Sequence, residues 1–191
     1  MQLIKRQRRS VRLKDYDYTR PGAYFVTICT RDRKCLFGEI TDGKMIMNNI
    51  GKLVFEFWKN IPKHFLHVDL DKYVVMPNHL HGLLILLDNC RDTACRVPTP
   101  ERFGNPVSCS LPTVVRSFKS AVTKHVNILH NTPGKSFWHP RYYEHVVRNK
   151  KELTSIREYI ITNPTRWAFD RENPCLYKHK NNSGLINPEN N

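Results

Sequence analysis

Tyr73-Val74-Val75-Met76-Pro77-Asn78-His79-Leu80-His81-Gly82-Leu83-Leu84-Ile85-Leu86-Leu87 is the stretch on which the fold turns. It is dominated by apolar and β-prone residues, and Pro77-Asn78 marks a turn near its middle. The spacing predicts two strands, Val68 to Met76 and His79 to Leu87, joined by that turn. Side chains two apart on a strand share a face. His79 and His81 can therefore aim two imidazoles at one metal ion while Leu80 packs into the core behind them. Taken alone, the pair reads equally as two ordinary histidines at a strand start.

Working outward, Tyr24 to Thr30 is β-branched and aromatic and predicts a strand. Leu36 to Met47 forms two short runs around Asp42-Gly43, a hairpin signal. Ile50, Leu53, Val54, Phe57, Trp58 and Ile61 have helical spacing, with Pro62 next. Residues 88–111 hold Pro98, Pro100, Gly104 and Pro106 and read as a long loop. Pro112 opens a helix with Val114, Val115, Phe118, Ala121, Val122, His125 and Val126 on one stripe, ended by Pro133-Gly134. Tyr142 to Arg148 alternates as a strand. Asn149 with Glu152 resembles a capping box for a helix over Lys150 to Thr162. Pro164 should stop that helix at Asn163.

The order is β, hairpin, α, β, β, α, β, α. Without the hairpin it is β-α-β-β-α-β plus a final helix. This predicts an α+β, ferredoxin-like core: an antiparallel sheet with helices on one face and a C-terminal helix beside it. The expected organisation is a basic arm at 1–20, one domain at 21–169 and a polar, frayed tail at 170–191.

The 191 residues carry 31 Lys and Arg against 17 Asp and Glu, a formal charge of +14. This favours a polyanionic partner, nucleic acid first. No apolar run reaches the roughly 18 residues of a membrane span. Basic residues interrupt the N-terminus where a signal peptide needs an apolar core, so a cytoplasmic protein is expected. The six cysteines lack the spacing of a disulfide framework or a double Cys-x-x-Cys zinc site, and reduced thiols are expected. Gly38 to Met45 nearly spells a phosphate-binding loop but lacks the hydroxyl at Met45 and falls in a hairpin. His64 and His67 read as surface histidines.

Tyr159 and Asn163 share a face of the last helix, four residues apart. If that helix lies near the His pair, imidazoles and an amide oxygen could hold a divalent metal. The phenol could then attack phosphorus. The bland alternative makes Tyr159 a core aromatic and Asn163 a helix cap. Tyr142 and Tyr143 compete as nucleophiles, but strand alternation puts only one inward. They read better as core residues or base-stacking residues.

At these residues the chain resembles a known family. His79-Leu80-His81 after Met76-Pro77-Asn78 looks like the signature of HUH endonucleases. More closely, the chain resembles the REP-associated tyrosine transposases of the IS200-like, single-tyrosine superfamily. The supporting segments are Gly22 to Thr27, Leu36-Phe37-Gly38, Val114 to Ser120, Phe137-Trp138 with Tyr142 to His145, and Glu158-Tyr159-Ile160 through Asn163-Pro164. The resemblance implies cleavage of single-stranded or hairpin DNA with a divalent metal, Mg²⁺ or Mn²⁺. It makes His79, His81 and Asn163 the metal ligands and Tyr159 a nucleophile that forms a 5′-phosphotyrosine. Arg116, Lys119, Arg141 and Trp138 are the candidate DNA contacts. The alternative function is a nucleic-acid-binding protein of this fold whose chemistry has decayed. No membrane partner is expected, and both a monomer and a homodimer fit.

Overall fold

The computed structural model describes residue 13 and residues 16–88 and 107–175. Among these residues six strands and four α-helices follow, in the expected order but with a short extra helix, α2: β1 Gly22–Cys29, β2 Gly38–Thr41, β3 Lys44–Met47, α1 Asn49–Lys59, α2 Ile61–His64, β4 Val68–Val75, β5 His79–Leu86, α3 Leu111–Leu129, β6 Tyr143–Val146 and α4 Lys150–Thr162. The main sheet is antiparallel with the order β4-β5-β1-β6. That is the strand order of a ferredoxin-like sheet, with the β2–β3 hairpin as an insertion. The hairpin turns at Asp42 and Gly43, both at positive φ, as a two-residue turn between right-twisted strands requires.

Strand alternation divides the molecule. Tyr24, Val26, Ile28, Leu80, Leu84 and Leu86 point to one face and form the main core with Trp58 of α1 and Leu111, Val115, Phe118 and Val122 of α3. Phe25 and Leu83 point to the other face, where Ile160 of α4 covers them, with Val74, Leu153 and Ile156 around. The two sheet-packed helices α1 and α3 thus lie on one face, and α4 lies on the other. His79 and His81 share the parity of Leu83, so they point to the α4 side. Gly82, next in the motif, faces the opposite way, where a Cβ would overlap the Trp58 indole. The close approach of α1 requires glycine there.

Several boundaries differ from expectation. The chain breaks at Asn60 and resumes as α2, because Pro62 in a first turn sacrifices no hydrogen bond. The second main helix ends at Leu129, before Pro133-Gly134, where Asn131 adopts positive φ. Helix α4 ends at Thr162 with Asn163 as its cap, as expected, but the Asn163 backbone stays helical, at a φ of −57°, and a 3-10 helix, Pro164–Phe169, follows. The pre-proline preference is overridden by a buried side-chain bond of Asn163 described below. His67 is buried rather than on the surface, with Phe65 edge-on to it. Burial lowers its pKa. Cys109 is disulfide-bonded, so the expectation of reduced thiols fails there; sequence spacing carries no information on whether two Cα atoms approach closely enough to bridge. The segment 170–175, expected to be a frayed start of the tail, packs inward, with Asp170 and Asn173 both buried. Most of the expected loop 88–111, most of the basic arm 1–20 and residues 176–191 lie outside the described residues. No helix among the described residues is long and apolar enough to cross a membrane.

Candidate active site

The site forms where β5, the start of β1's neighbouring loop, α4 and the segment after α4 meet. Its base is Asn78, fully buried. The Asn78 amide donates to the backbone carbonyls of Arg33, at 2.9 Å, and Glu172, at 2.6 Å. That fixes which end of the side chain is oxygen. The oxygen faces Nδ1 of His79 at 2.8 Å, so His79 must carry its proton on Nδ1. In the neutral ring, Nε2 is then a lone pair aimed into the site. Burial, and then the nearby His81, hold the His79 pKa well below its ordinary value, with Asp170 opposing. The ring is therefore neutral at neutral pH.

His81 has its Nδ1 2.8 Å from the Thr27 hydroxyl and its Nε2 2.9 Å from Nε2 of His79. Two lone pairs cannot meet at that distance, so His81 supplies the proton between them. Thr27 can donate to or accept from Nδ1. His81 is thereby free to exchange tautomers and turn a second lone pair to the same point.

Helix α4 is fixed at three places. Asn149 accepts from the Glu152 backbone N–H at its N-terminus. Arg157 pairs with Asp71 of β4, with Nε to Oδ2 at 2.8 Å. Ile160 is buried under the sheet face. With the helix so placed, the Tyr159 hydroxyl lies 3.2 Å from Nε2 of His81. Its ring packs on His81 and edge-on to Phe25. Burial and the Asp170 charge raise the phenol pKa, and the Asn163 amide partly offsets this. Tyr159 is a phenol at neutral pH, not a phenolate.

The 3-10 turn after α4 returns the chain to the site. Trp167 comes to rest 6.0 Å from the His79 ring. Asp170 places Oδ2 3.9 Å from His79 Nε2 and 4.0 Å from His81 Nε2. That oxygen accepts the Asn163 amide at 3.0 Å, and the other accepts the Glu172 N–H at 2.7 Å. Burial alone would raise the Asp170 pKa. The two imidazoles, the Glu172 N–H and the Asn163 amide outweigh it and hold the carboxyl well below the usual carboxylate range. Because the Asn163 nitrogen is committed to Asp170, its oxygen remains, buried and with no hydrogen-bond partner among the described residues.

A buried carbonyl without a partner costs about 1–3 kcal/mol. This one adjoins two imidazoles and a carboxylate, and His79 already presents a lone pair to the same place. The ligating atoms of His79, His81 and Asp170 lie within 4.8 Å of one another. The donor set of imidazole nitrogen and hard oxygen suits a divalent metal. Three of the expected residues, His79, His81 and Tyr159, thus come together with the fourth, Asn163. Asp170 and Asn78 were not anticipated. Asn78 had a local signal, as the polar residue abutting the His pair. Asp170 had none, since it lies in a segment read as tail.

The expected DNA contacts fare differently. Trp138 is buried between Phe37, Phe118 and Phe137, and its indole N–H donates to the Lys119 carbonyl. A ring enclosed in the core cannot stack on a base, and that assignment is withdrawn. Lys119 donates to the carbonyls of His139, at 2.8 Å, and Pro140. Burial pushes its pKa down to about 8, so it is a structural cap rather than an open phosphate contact. Arg116 and Arg141 are exposed, but Arg116 sits on α3, across the sheet from the histidines.

Comparison with known proteins points one way. No family model matches the chain. An uncharacterized protein of Haemophilus influenzae is 38% identical over 168 residues, covering 86% of this chain and 92% of that one. A REP-associated tyrosine transposase of Escherichia coli is 24% identical over 155 residues, covering 81% of this chain and 73% of that one. Among solved structures, a REP-associated tyrosine transposase bound to a REP hairpin has a TM-score of 0.53 at 20% identity. The match covers 83% of this chain and 77% of that one. With the strand order, the paired histidines and the tyrosine helix in place, the chain resembles the REP-associated tyrosine transposases, distantly in sequence and in fold.

Proposed function

We propose that this protein nicks and rejoins single-stranded or hairpin-ended DNA through a covalent Tyr159 intermediate, using a divalent cation held by His79, His81, Asn163 and Asp170. The observation that carries the reading is the Tyr159 hydroxyl, 3.2 Å from an imidazole that itself faces a second imidazole. The cation, Mg²⁺ or Mn²⁺, would polarise a non-bridging phosphate oxygen and neutralise charge developing on phosphorus.

The chain's own residues do the rest. Asn78 and Thr27 orient the imidazoles. Asn163 orients Asp170 and keeps its own carbonyl turned inward. Phe25 and the α4 backbone hold the phenol ring. In the reaction the Tyr159 oxygen bonds to phosphorus and the bond from phosphorus to the 3′ oxygen breaks. The phenol loses one proton and the departing 3′ oxygen takes up one, so no net proton is released. The product is a 5′-phosphotyrosine and a free 3′ hydroxyl. The phosphodiester energy is kept in the protein linkage, and a 3′ hydroxyl attacking that linkage reverses the step. Tyr159 reaches His81 of its own chain, and cleavage in cis is part of the proposal. Affinity for DNA comes mainly from the +14 charge and should fall steeply with salt. Arg141, exposed to solvent, is the proposed phosphate contact, whereas Arg116 lies on the far side of the sheet.

The test uses oligonucleotides labelled at either end, incubated with Mg²⁺, Mn²⁺ or chelator and resolved on denaturing gels. A metal-dependent adduct on the 5′-phosphate fragment, mapped by peptide analysis to Tyr159, supports the reading. DNA binding without any adduct in any metal returns the protein to the binding-module alternative.

A further inference from the structure

Strand β6 is an edge of the sheet, and its alternation separates two adjacent tyrosines. Tyr142 packs against the main core. Tyr143 points to the opposite face and is 46% exposed. The register puts Tyr143 beside Thr27 of β1, Thr27 beside His81 of β5, and His81 beside Val74 of β4. One row across the sheet thus runs from His81 through Thr27 to Tyr143. The two residues are two strand spacings apart, about 10 Å. The rings are linked as well: Tyr143 meets Phe25 edge-on at 6.2 Å, and Phe25 stacks on His81 at 5.4 Å and meets Tyr159 at 6.1 Å. Phe25, itself nearly buried, holds the Tyr143 ring in place while leaving much of it open.

Beside the ring, at the sheet edge, lies a cavity of about 130 Å³ whose lining includes Tyr143, Glu144, His145, Arg148, Leu13 and Tyr18. It is well under the roughly 300 Å³ of a small-molecule pocket, so it admits a single ring rather than a whole cofactor. An open aromatic, a ring-sized recess and the Arg148 guanidinium are the elements with which proteins hold an unpaired base and its phosphate. Tyr143 stands in the same row as His81, which faces the proposed nucleophile Tyr159, within the reach of a short extended strand.

We infer that Tyr143 is a stacking platform for an unpaired nucleobase flanking the cleaved phosphate, with the edge cavity receiving that base. The inference rests on the proposed DNA-nicking function and adds where the substrate strand lies. The strand crosses the sheet from the Tyr159 site over β1 toward β6, rather than running along α3 on the far face.

The experiment scans single abasic substitutions through a single-stranded oligonucleotide around the mapped nick, measuring binding with Tyr159→Phe protein to prevent turnover. One flanking position should lose affinity roughly 5- to 150-fold, the range of one base–aromatic stack. Tyr143→Ala added to that background should lose about as much on intact DNA and nothing further on DNA abasic at that position. Tyr143→Phe should restore binding, and Mn²⁺ affinity should be unchanged in all variants. Tyr143→Leu serves if the alanine variant folds poorly. Additive losses from Tyr143→Ala and every abasic position, or no sensitive position at all, would overturn the inference while leaving the nicking reaction standing. Absence of both adduct and single-strand binding with unsubstituted protein would remove the proposed function itself.

Discussion

The Tyr159 hydroxyl and Nε2 of His81 lie 3.2 Å apart although 78 residues separate them in the chain. The contact joins α4 to the middle of the sheet and sets phenol and imidazole on one point. Tyr159→Phe removes the hydroxyl and keeps the ring on His81 and Phe25. Adduct and nick should both vanish, with stability within about 0.5 kcal/mol of the parent protein. Denaturing gels and urea titration read the two halves. Nicking that survives in Tyr159→Phe would transfer the nucleophile's role elsewhere.

Asp170 and Asn163 act as a pair on the cation. Asp170→Asn keeps the shape and removes the charge, and Asn163→Ala removes the inward carbonyl. Each should weaken Mn²⁺ binding by at least roughly tenfold, measured by calorimetry or by the loss of the free-ion paramagnetic signal. Unchanged affinity in Asp170→Asn would return the third ligand to Asn163 alone.

Asn78 is both a structural tie and the residue that sets the His79 tautomer. Asn78→Ala abandons two part-buried carbonyls and the buried His79 ring N–H, at about 1–3 kcal/mol for the buried group left unsatisfied and less for the carbonyls that water can reach. Long-range ¹⁵N–¹H spectra of the histidines should show His79 as the Nδ1–H tautomer in the parent protein and a tautomer mixture in Asn78→Ala. A parent spectrum with His79 protonated on Nε2 would refute the assignment.

Glu152 links α4 to β6 by accepting from the Arg148 N–H, at 2.7 Å, and facing His145 Nε2 at 2.6 Å. The Arg148 hydrogen bond first, then His145, lower its pKa below the ordinary 4.5. A carboxyl with a lowered folded pKa stabilises the protein fully above its unfolded pKa and ceases to do so as pH falls through the folded value. Glu152→Gln should therefore be less stable than the parent at pH 7. The two should converge on acidification below about pH 4.5, as followed by thermal melts across pH. A gap that persists unchanged into strong acid would assign the difference to lost contacts rather than charge.

The sequence by itself determined what short-range periodicity can express. A period of two puts His79 and His81 on one face with Leu80 and Gly82 behind them. A step of four puts Tyr159 and Asn163 on one helix face, and the β and α order specifies the ferredoxin-like sheet. These depend only on backbone geometry within a few residues. What tertiary structure decided are contacts between segments far apart in the chain. Asp170 reaches His79 only because a 3-10 turn after Asn163 folds the chain back, with the Asn163–Asp170 side-chain bond across that turn. Asn78 orients His79 only because the Glu172 carbonyl arrives from 94 residues away. Trp138 and Lys119 have the composition of a DNA surface, yet the packing of α3 on the sheet encloses one and ties the other to backbone carbonyls. Residue type says what a side chain can do; which side of the sheet its element packs on decides whether it meets solvent, core or site.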